Sequence, residues 1–442
     1  MASSTTSPGL QEVLRAAVVR FAQKNPESRA VHEEAVKSLP GGNTRSVLHT
    51  DPFPLSLKSG NGYMVASQDG RDLVDFTGDF TAALYGHSNP VIREAALHVL
   101  ENVGMNLSGT TAQEQLLARE LCRRFGIQLV RFANSGTEAN LQALAAARHF
   151  TKKRKVVVFN DAYHGGVLRF AGGKAAANNV DVDDWIIARY NDLDSTARAI
   201  KRPGVAAVLV EGMQLAGGCI CGTPEFLACI QQTASQAGVL FVLDEVATSR
   251  LSASGLAGLF GLEPDLKTFG KWMGGGVPFG AFGGRADIMA TYDPRVAGAL
   301  PHSGTFNNSS LGMHIGYAGL TKIYTPQVAA EFNALGDSFL SRLNQLSQGT
   351  KLCFSGRGTI MQAHFSADGV RTVTNAADAE EVQQLKNLFW FEMLDEGFWL
   401  ARRGLIALVL GTPQAVLDRF ARCVEVFLSR HRAFVTVERQ QQ

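Results

Sequence analysis

Charge of one sign is missing from this sequence. Its 42 basic residues face 40 acidic ones, a net of +2, which offers no field suited to nucleic acid or an anionic membrane. No uninterrupted apolar run reaches the roughly 18 residues of a membrane-crossing helix, so no span is expected. Cysteine is sparse: Cys122, Cys219, Cys221, Cys229, Cys353 and Cys423 are too few in 442 residues for a disulfide scaffold. Cys219-Ile220-Cys221 has the wrong spacing for a CxxC redox or zinc pair, and no companion pair follows, so no metal site is expected. The opening run Met1 to Pro8 lacks the basic and apolar regions of a signal peptide, and Arg439-Gln440-Gln441-Gln442 matches no address tag. These absences together lead us to expect a cytoplasmic protein with reduced thiols.

What remains is the composition of an ordinary soluble domain, 45% hydrophobic and 19% charged, in a chain long enough for at least two lobes. Leu10, Val13, Leu14, Ala17, Val18 and Phe21 have helical spacing, which Pro40-Gly41-Gly42-Asn43 breaks. Residues 53–76 read as short antiparallel strands with turns at Ser59-Gly60-Asn61-Gly62 and Gln68-Asp69-Gly70-Arg71. From about residue 112 to 290 strands alternate with amphipathic helices. The strands are Leu129-Phe132, Val156-Phe159, Ile186-Ala188, Ala206-Val210, Leu240-Asp244 and Leu266-Phe269. That alternation predicts an α/β fold, a mostly parallel central sheet with helices on both faces, plus a smaller α+β domain. The expected division is 1–60 as an N-terminal segment packing with the small domain, 61–325 as the large domain, and 326–442 as the small domain. The run Thr151-Lys152-Lys153-Arg154-Lys155 reads as a solvated connection.

Several strand ends carry reactive residue types. Asn134-Ser135-Gly136-Thr137-Glu138 follows a strand and opens a helix, offering hydroxyls, backbone N–H groups and the helix dipole to a phosphate. The same residues also read as a helix capping box. Asp244-Glu245 ends an apolar strand, where ligands collect in parallel sheets; a helix cap or structural ion pair is the alternative. Lys271 follows a strand and precedes Gly274-Gly275-Gly276, while Lys267, near the start of that strand, reads as a solvated surface charge. Tyr163-His164-Gly165-Gly166 could set an aromatic ring over a cofactor, and His164 alone reads as structural. A lysine able to form a Schiff base and an aspartate able to face a pyridine nitrogen are what pyridoxal phosphate (PLP) chemistry requires.

In this order the segments resemble the class III aminotransferases of PLP fold type I, from about residue 30 to 430. The matches are Ser135-Gly136-Thr137-Glu138-Ala139, Tyr163-His164-Gly165, Asp244-Glu245-Val246, Lys271 before the triple glycine, and Gly304-Thr305-Phe306. The resemblance implies that Lys271 holds PLP covalently and Asp244 pairs with its ring nitrogen. Val246 would pack on one ring face and Tyr163 on the other, with Ser135, Gly136 and Thr137 on the phosphate. Thr305 would reach the phosphate of a neighbouring subunit, which implies a homodimer with shared sites. Glu211 resembles the family's Glu-Pro strand end, although Gly212 stands where the proline is usual, and Gln214 follows as a pocket residue.

Carboxylate substrates call for arginine, which grips them bidentately. Arg45 lies in Gly41-Gly42-Asn43-Thr44-Arg45-Ser46-Val47, and Arg403 in Ala401-Arg402-Arg403-Gly404, with Arg402 as a competing neighbour. The first of these runs resembles the glutamate-1-semialdehyde aminomutases. With Tyr85-Gly86-His87-Ser88 and His302-Ser303-Gly304-Thr305-Phe306 added, the set is more similar to the (S)-selective β-amino-acid aminotransferases. That similarity implies ping-pong transfer of an amino group from a β-amino acid or aryl amine to 2-oxoglutarate or pyruvate. Arg45 would hold the donor carboxylate and Arg403 the keto acid's. An aminomutase, or a transaminase for bulky carboxylate-free amines, is the alternative.

Overall fold

In the computed structural model, residues 8–369, 372–376 and 380–437 are described; Met1 to Ser7 and Arg439 to Gln442 lie outside them. Sixteen strands run along the described chain. β1 (Leu57–Asn61), β2 (Met64–Ser67) and β3 (Asp72–Asp75) come first. The large lobe then supplies β4 (Leu129–Ala133), β5 (Lys155–Phe159), β6 (Trp185–Ala188), β7 (Val205–Glu211), β8 (Met213–Gln214), β9 (Ile220–Cys221), β10 (Leu240–Asp244), β11 (Leu266–Gly270) and β12 (Gly280–Gly284). The last four are β13 (Leu352–Arg357), β14 (Ile360–Phe365), β15 (Phe398–Trp399) and β16 (Leu405–Ala407).

The central sheet has seven strands in the order β4-β12-β11-β10-β7-β5-β6. All run parallel except β12, which is antiparallel to both β11 and β4. Helices cover both faces, so β5, β7 and β10 read as near-continuous apolar runs rather than alternating ones; all seven residues of β7 are buried. The crossover helix Pro224–Ala237 shows why these segments coil: Thr223 Oγ1 accepts from Phe226 N at 3.1 Å, and Pro224 takes the first helical position, where no N–H is needed. The candidate strands read from the sequence fall within β4, β5, β6, β7, β10 and β11.

β12 is a strand that sequence pattern passes over. Gly-Ala-Phe-Gly-Gly has little β-propensity, yet it sits between two partners inside the sheet. Sterics account for it. A Cβ on Gly280 would lie 2.2 Å from the Ser135 carbonyl, so only glycine lets the two backbones approach. The turn expected at Ser59 to Gly62 is shorter than its sequence implied: Ser59, Gly60 and Asn61 continue β1, and the chain reverses at Gly62-Tyr63.

The N-terminal helix Pro8–Lys24 packs on the C-terminal helix Gln383–Asp395. The Phe21 ring lies 5.9 Å from Trp390 and 5.5 Å from Phe391, and Lys24 pairs with Asp395 at 2.7 Å. β15 adds in parallel to β3, tying the first antiparallel strands to the C-terminal part of the chain. No described helix is long and apolar enough to cross a membrane.

Candidate active site

The carboxyl ends of β4, β5, β7, β10 and β11 converge on one region, as strand ends do in open α/β sheets. A cavity of about 1300 Å³ opens there, lined by Lys271, Ser135, Gly136, Arg45, Asp79 and Phe80 among others.

Lys271 leaves β11 with φ +53°, in the left-handed region that costs a non-glycine residue energy and is retained where surrounding structure enforces it. Among the described residues its amine makes no hydrogen bond. Burial pushes its pKa down to about 8, against the pull of Asp244 and Glu211, so near neutral pH an appreciable fraction is the free amine that acts as a nucleophile. Lys267 corrects the expectation of a solvated charge. It is 5% exposed, and its ammonium donates to the Phe125 carbonyl at 2.6 Å, with buried Glu245 as its charge partner. A strand covered on both faces leaves no solvated side, so a lysine there has to find internal partners.

Asp244 ends β10, almost fully buried, and three donors hold it. Oδ2 accepts from Asn140 Nδ2 at 2.8 Å and lies 2.7 Å from His164 Nδ1; Oδ1 accepts from Val246 N at 3.0 Å. Asn140 is fixed in turn by the Thr268 hydroxyl, which donates to its Oδ1 at 2.7 Å. Glu245 points to the opposite face and serves the fold. It accepts from Leu256 N, Ala257 N and the Thr248 hydroxyl, closing the start of the helix Gly255–Phe260. Of the two adjacent acids, Glu245 is engaged by the fold, while Asp244 is turned toward His164 and Asn140.

Ser135 caps the sixteen-residue helix Gly136–Thr151, its Oγ accepting from Glu138 N at 3.2 Å, while Glu138 accepts from Asn134 N at 2.8 Å. Ser135 thus caps the helix while Glu138 reaches back one residue beyond a strict capping box, and the first N–H groups of the helix face the cavity. Thr137 Oγ1 accepts from Gly166 N at 3.3 Å, which brings the Tyr163-His164-Gly165-Gly166 turn against the cup. A Cβ on Gly165 would lie 2.2 Å from that hydroxyl oxygen, so a larger residue would push the turn away. Tyr163 is 43% exposed, and its amide donates to Glu211 Oε1 at 2.9 Å. Glu211, at the end of β7, also accepts from Leu215 N at 3.1 Å; burial, reinforced by Asp244, raises its carboxyl to about 7. Gln214 is buried, donating to the Asn160 carbonyl at 2.7 Å, and its own amide oxygen has no partner among the described residues. Val246 follows Asp244 at half burial beside Gly136.

The two adjacent arginines differ in their ring contacts, and Arg402 also lines the cavity. Arg402 stacks its guanidinium 4.5 Å from the Trp390 ring and 4.3 Å from Phe391. Arg403 turns toward Phe80, 5.3 Å from its ring centre, and its charge reaches Lys271 and Glu211. Arg403 Nε is buried without a partner among the described residues. Arg45 approaches the same Phe80 ring at 5.2 Å and pairs with Asp79 at 2.7 Å. Thr305 is not brought into the cavity: it is exposed, on the loop 301–309. Asn140, Thr268, Asp79 and Phe80 had no signal in the sequence. His164 was visible beside Tyr163, but its contact with Asp244 across 80 residues was not.

The donor set fits a phosphate-bearing pyridine aldehyde. An amine without a hydrogen-bond partner, a carboxylate held by three donors and a helix N-terminus stand at strand ends around one region, and buried polar atoms on Arg402, Arg403 and Gln214 lack partners among the described residues. Comparison with known proteins agrees. The model of the class-III aminotransferase family matches residues 47–408. The chain is 44% identical over 435 residues to the β-phenylalanine transaminase of Variovorax paradoxus, covering 97% of this chain and 99% of that one. The crystal structure of a β-phenylalanine aminotransferase from Variovorax paradoxus superposes with a TM-score of 0.94 at 43% identity, covering 97% of this chain and all of that one. Glutamate-1-semialdehyde 2,1-aminomutase 2 of Lachnoclostridium phytofermentans is 33% identical over 397 residues, covering 85% of this chain and 92% of that protein.

Proposed function

The chain belongs to the class III aminotransferases, PLP-dependent enzymes, and on that premise we propose that it transfers the amino group of a β-amino acid to a keto acid. The observation that carries this reading is that Arg45 lines the same cavity as Lys271, so a donor whose amine meets Lys271 can place a carboxylate on Arg45. The higher identity to the β-phenylalanine transaminase than to the aminomutase supports it.

Bound PLP supplies a carbonyl that condenses with amines and a ring that delocalises the electron pair left on a deprotonated carbon. Lys271 Nζ would hold the cofactor, and when freed from it the neutral Nζ would be placed to take the proton from the substrate carbon that bears nitrogen. Asp244, oriented by Asn140, His164 and Val246 N, would pair with the pyridine nitrogen. Ser135, Gly136 and Thr137 would hold the phosphate, and Val246 and Tyr163 would bound the ring. Glu211 and Gln214 would lie near the cofactor and substrate, and Arg403 would receive the carboxylate of a keto acid such as 2-oxoglutarate or pyruvate.

Arg45→Ala tests the donor assignment. Loss of a charge-assisted, bidentate grip should raise KM for β-phenylalanine about 10- to 100-fold, with KM for 1-phenylethylamine unchanged. Equal shifts for both donors would remove Arg45 from carboxylate binding.

We also infer a homodimer in which Thr305 completes the phosphate site of the partner subunit. Exposed Thr305 sits beside Phe306, 56% exposed, and Asn308 Nδ2 ties this loop to the Gly109 carbonyl at 3.1 Å. The segment leading to Gly109 exposes Leu100, Met105 and Leu107, making an apolar surface that a second copy would cover. Light scattering should give twice the chain mass, and Thr305→Ala should release PLP several-fold faster on dialysis. A fully active monomer would refute the shared site.

A further inference from the structure

Resting on the reading of Arg45 as the donor-carboxylate residue, we propose that Asp79 is an internal competitor for that site: its carboxylate occupies Arg45 in the resting enzyme and gives way when a substrate carboxylate arrives. Asp79 therefore sets how strongly the enzyme prefers carboxylate-bearing donors over simple amines.

Three observations carry the inference. The first is backbone strain on the cavity wall. Asp79, Phe80 and Thr81 have φ of +40°, +53° and +82°, three consecutive non-glycine residues in left-handed conformations. Such a run persists only where its surroundings enforce it. Here they do: Thr77 N and Gly78 N both donate to Asp75 Oδ1 at 2.9 Å, and Phe80 N, Ala82 N and Ala83 N each donate to a carbonyl within the same turn. The result aims Asp79 into the cavity that Arg45 and Lys271 share.

The second is the contact itself. Asp79 Oδ1 accepts from Arg45 Nη1 at 2.7 Å, and among the described residues this is the only hydrogen bond its carboxylate makes. An aspartate meant to hold Arg45 rigidly would be buttressed by other donors, as Asp244 is. Asp79 is not, and its side chain is 52% exposed, so it can rotate into solvent. The third is that only one guanidinium nitrogen is engaged, which leaves the rest of the planar fork available to a bidentate carboxylate. Arg45 and Arg403 each approach the Phe80 ring, at 5.2 and 5.3 Å, and of the two only Arg45 hydrogen-bonds Asp79 among the described residues.

Because the pair is half exposed, the competition is modest, about two- to fivefold in affinity. Asp79→Asn is the informative variant, since asparagine tolerates left-handed φ and keeps the shape. Holoenzyme binding of 3-phenylpropanoate, a carboxylate with no amine to react, is measured by calorimetry beside KM for β-phenylalanine and for 1-phenylethylamine. Asp79→Asn should bind 3-phenylpropanoate about two- to fivefold more tightly and lower the ratio of KM for β-phenylalanine to KM for 1-phenylethylamine by the same factor. Weaker or unchanged 3-phenylpropanoate binding in Asp79→Asn, with binding lost in Arg45→Ala, would overturn the competition and leave Arg45 in place. Unchanged binding in Arg45→Ala would instead overturn the carboxylate assignment on which the proposal stands.

Discussion

Lys271→Ala is expected to purify without the visible absorbance of covalently held PLP and to transaminate at least about 10³-fold more slowly. Two functions disappear together. The amine that anchors the cofactor is gone, and so is the base that moves the proton at the substrate carbon. The size of the loss follows from how the fold prepares this amine. Burial lowers its pKa to about 8, so the neutral form is far more populated near pH 7 than for a solvated lysine titrating near 10.4. The sign is that of a base: activity that depends on free Nζ should rise with pH through about 8. The left-handed φ of Lys271 aims it, and alanine keeps that backbone strain while deleting the amine. The measurements are an absorbance spectrum and single-turnover kinetics with β-phenylalanine; retained turnover at wild-type rate would end the assignment.

Asp244→Asn should lower kcat at least about 10²-fold while leaving the fold nearly intact. The substitution removes the charge that keeps a proton on the cofactor ring but preserves side-chain shape and one acceptor. Asp244→Ala separates the two roles. It strands the donors of Asn140, His164 and Val246 in a buried site, and each unpaired group costs about 1–3 kcal/mol. A large drop in Tm is therefore expected for the alanine variant and a small one for asparagine, with similar losses of rate. If Asp244→Asn kept near wild-type kcat, the carboxylate would be a structural anchor only.

Much of this site could be seen in the sequence because strands buried on both faces appear as apolar runs that stop where chemistry begins. Leu240 to Asp244 is such a run, and so is the stretch ending at Glu211. The capping pattern at Ser135 was equally visible, since the residues that close a helix are those that present its amides. Other parts depend on contacts that no local pattern encodes. Lys267 is indistinguishable from a surface lysine until the Phe125 carbonyl is found 2.6 Å away. Adjacent Arg402 and Arg403 are separated only by tertiary packing, one on Trp390 and Phe391, the other toward Phe80. Asp79 meets Arg45 across 34 residues through a backbone conformation that its side chains disfavour, so propensity argues against the geometry that forms.

β12 has a consequence for engineering. Gly280 touches the Ser135 carbonyl so closely that the phosphate cup and the glycine strand are one unit of exchange. A chimera that imports the helix Gly136–Thr151 from a relative without its matching β12 brings together two surfaces shaped for other partners. The natural breakpoints for recombining substrate loops therefore lie outside residues 129–284, with that block transplanted whole.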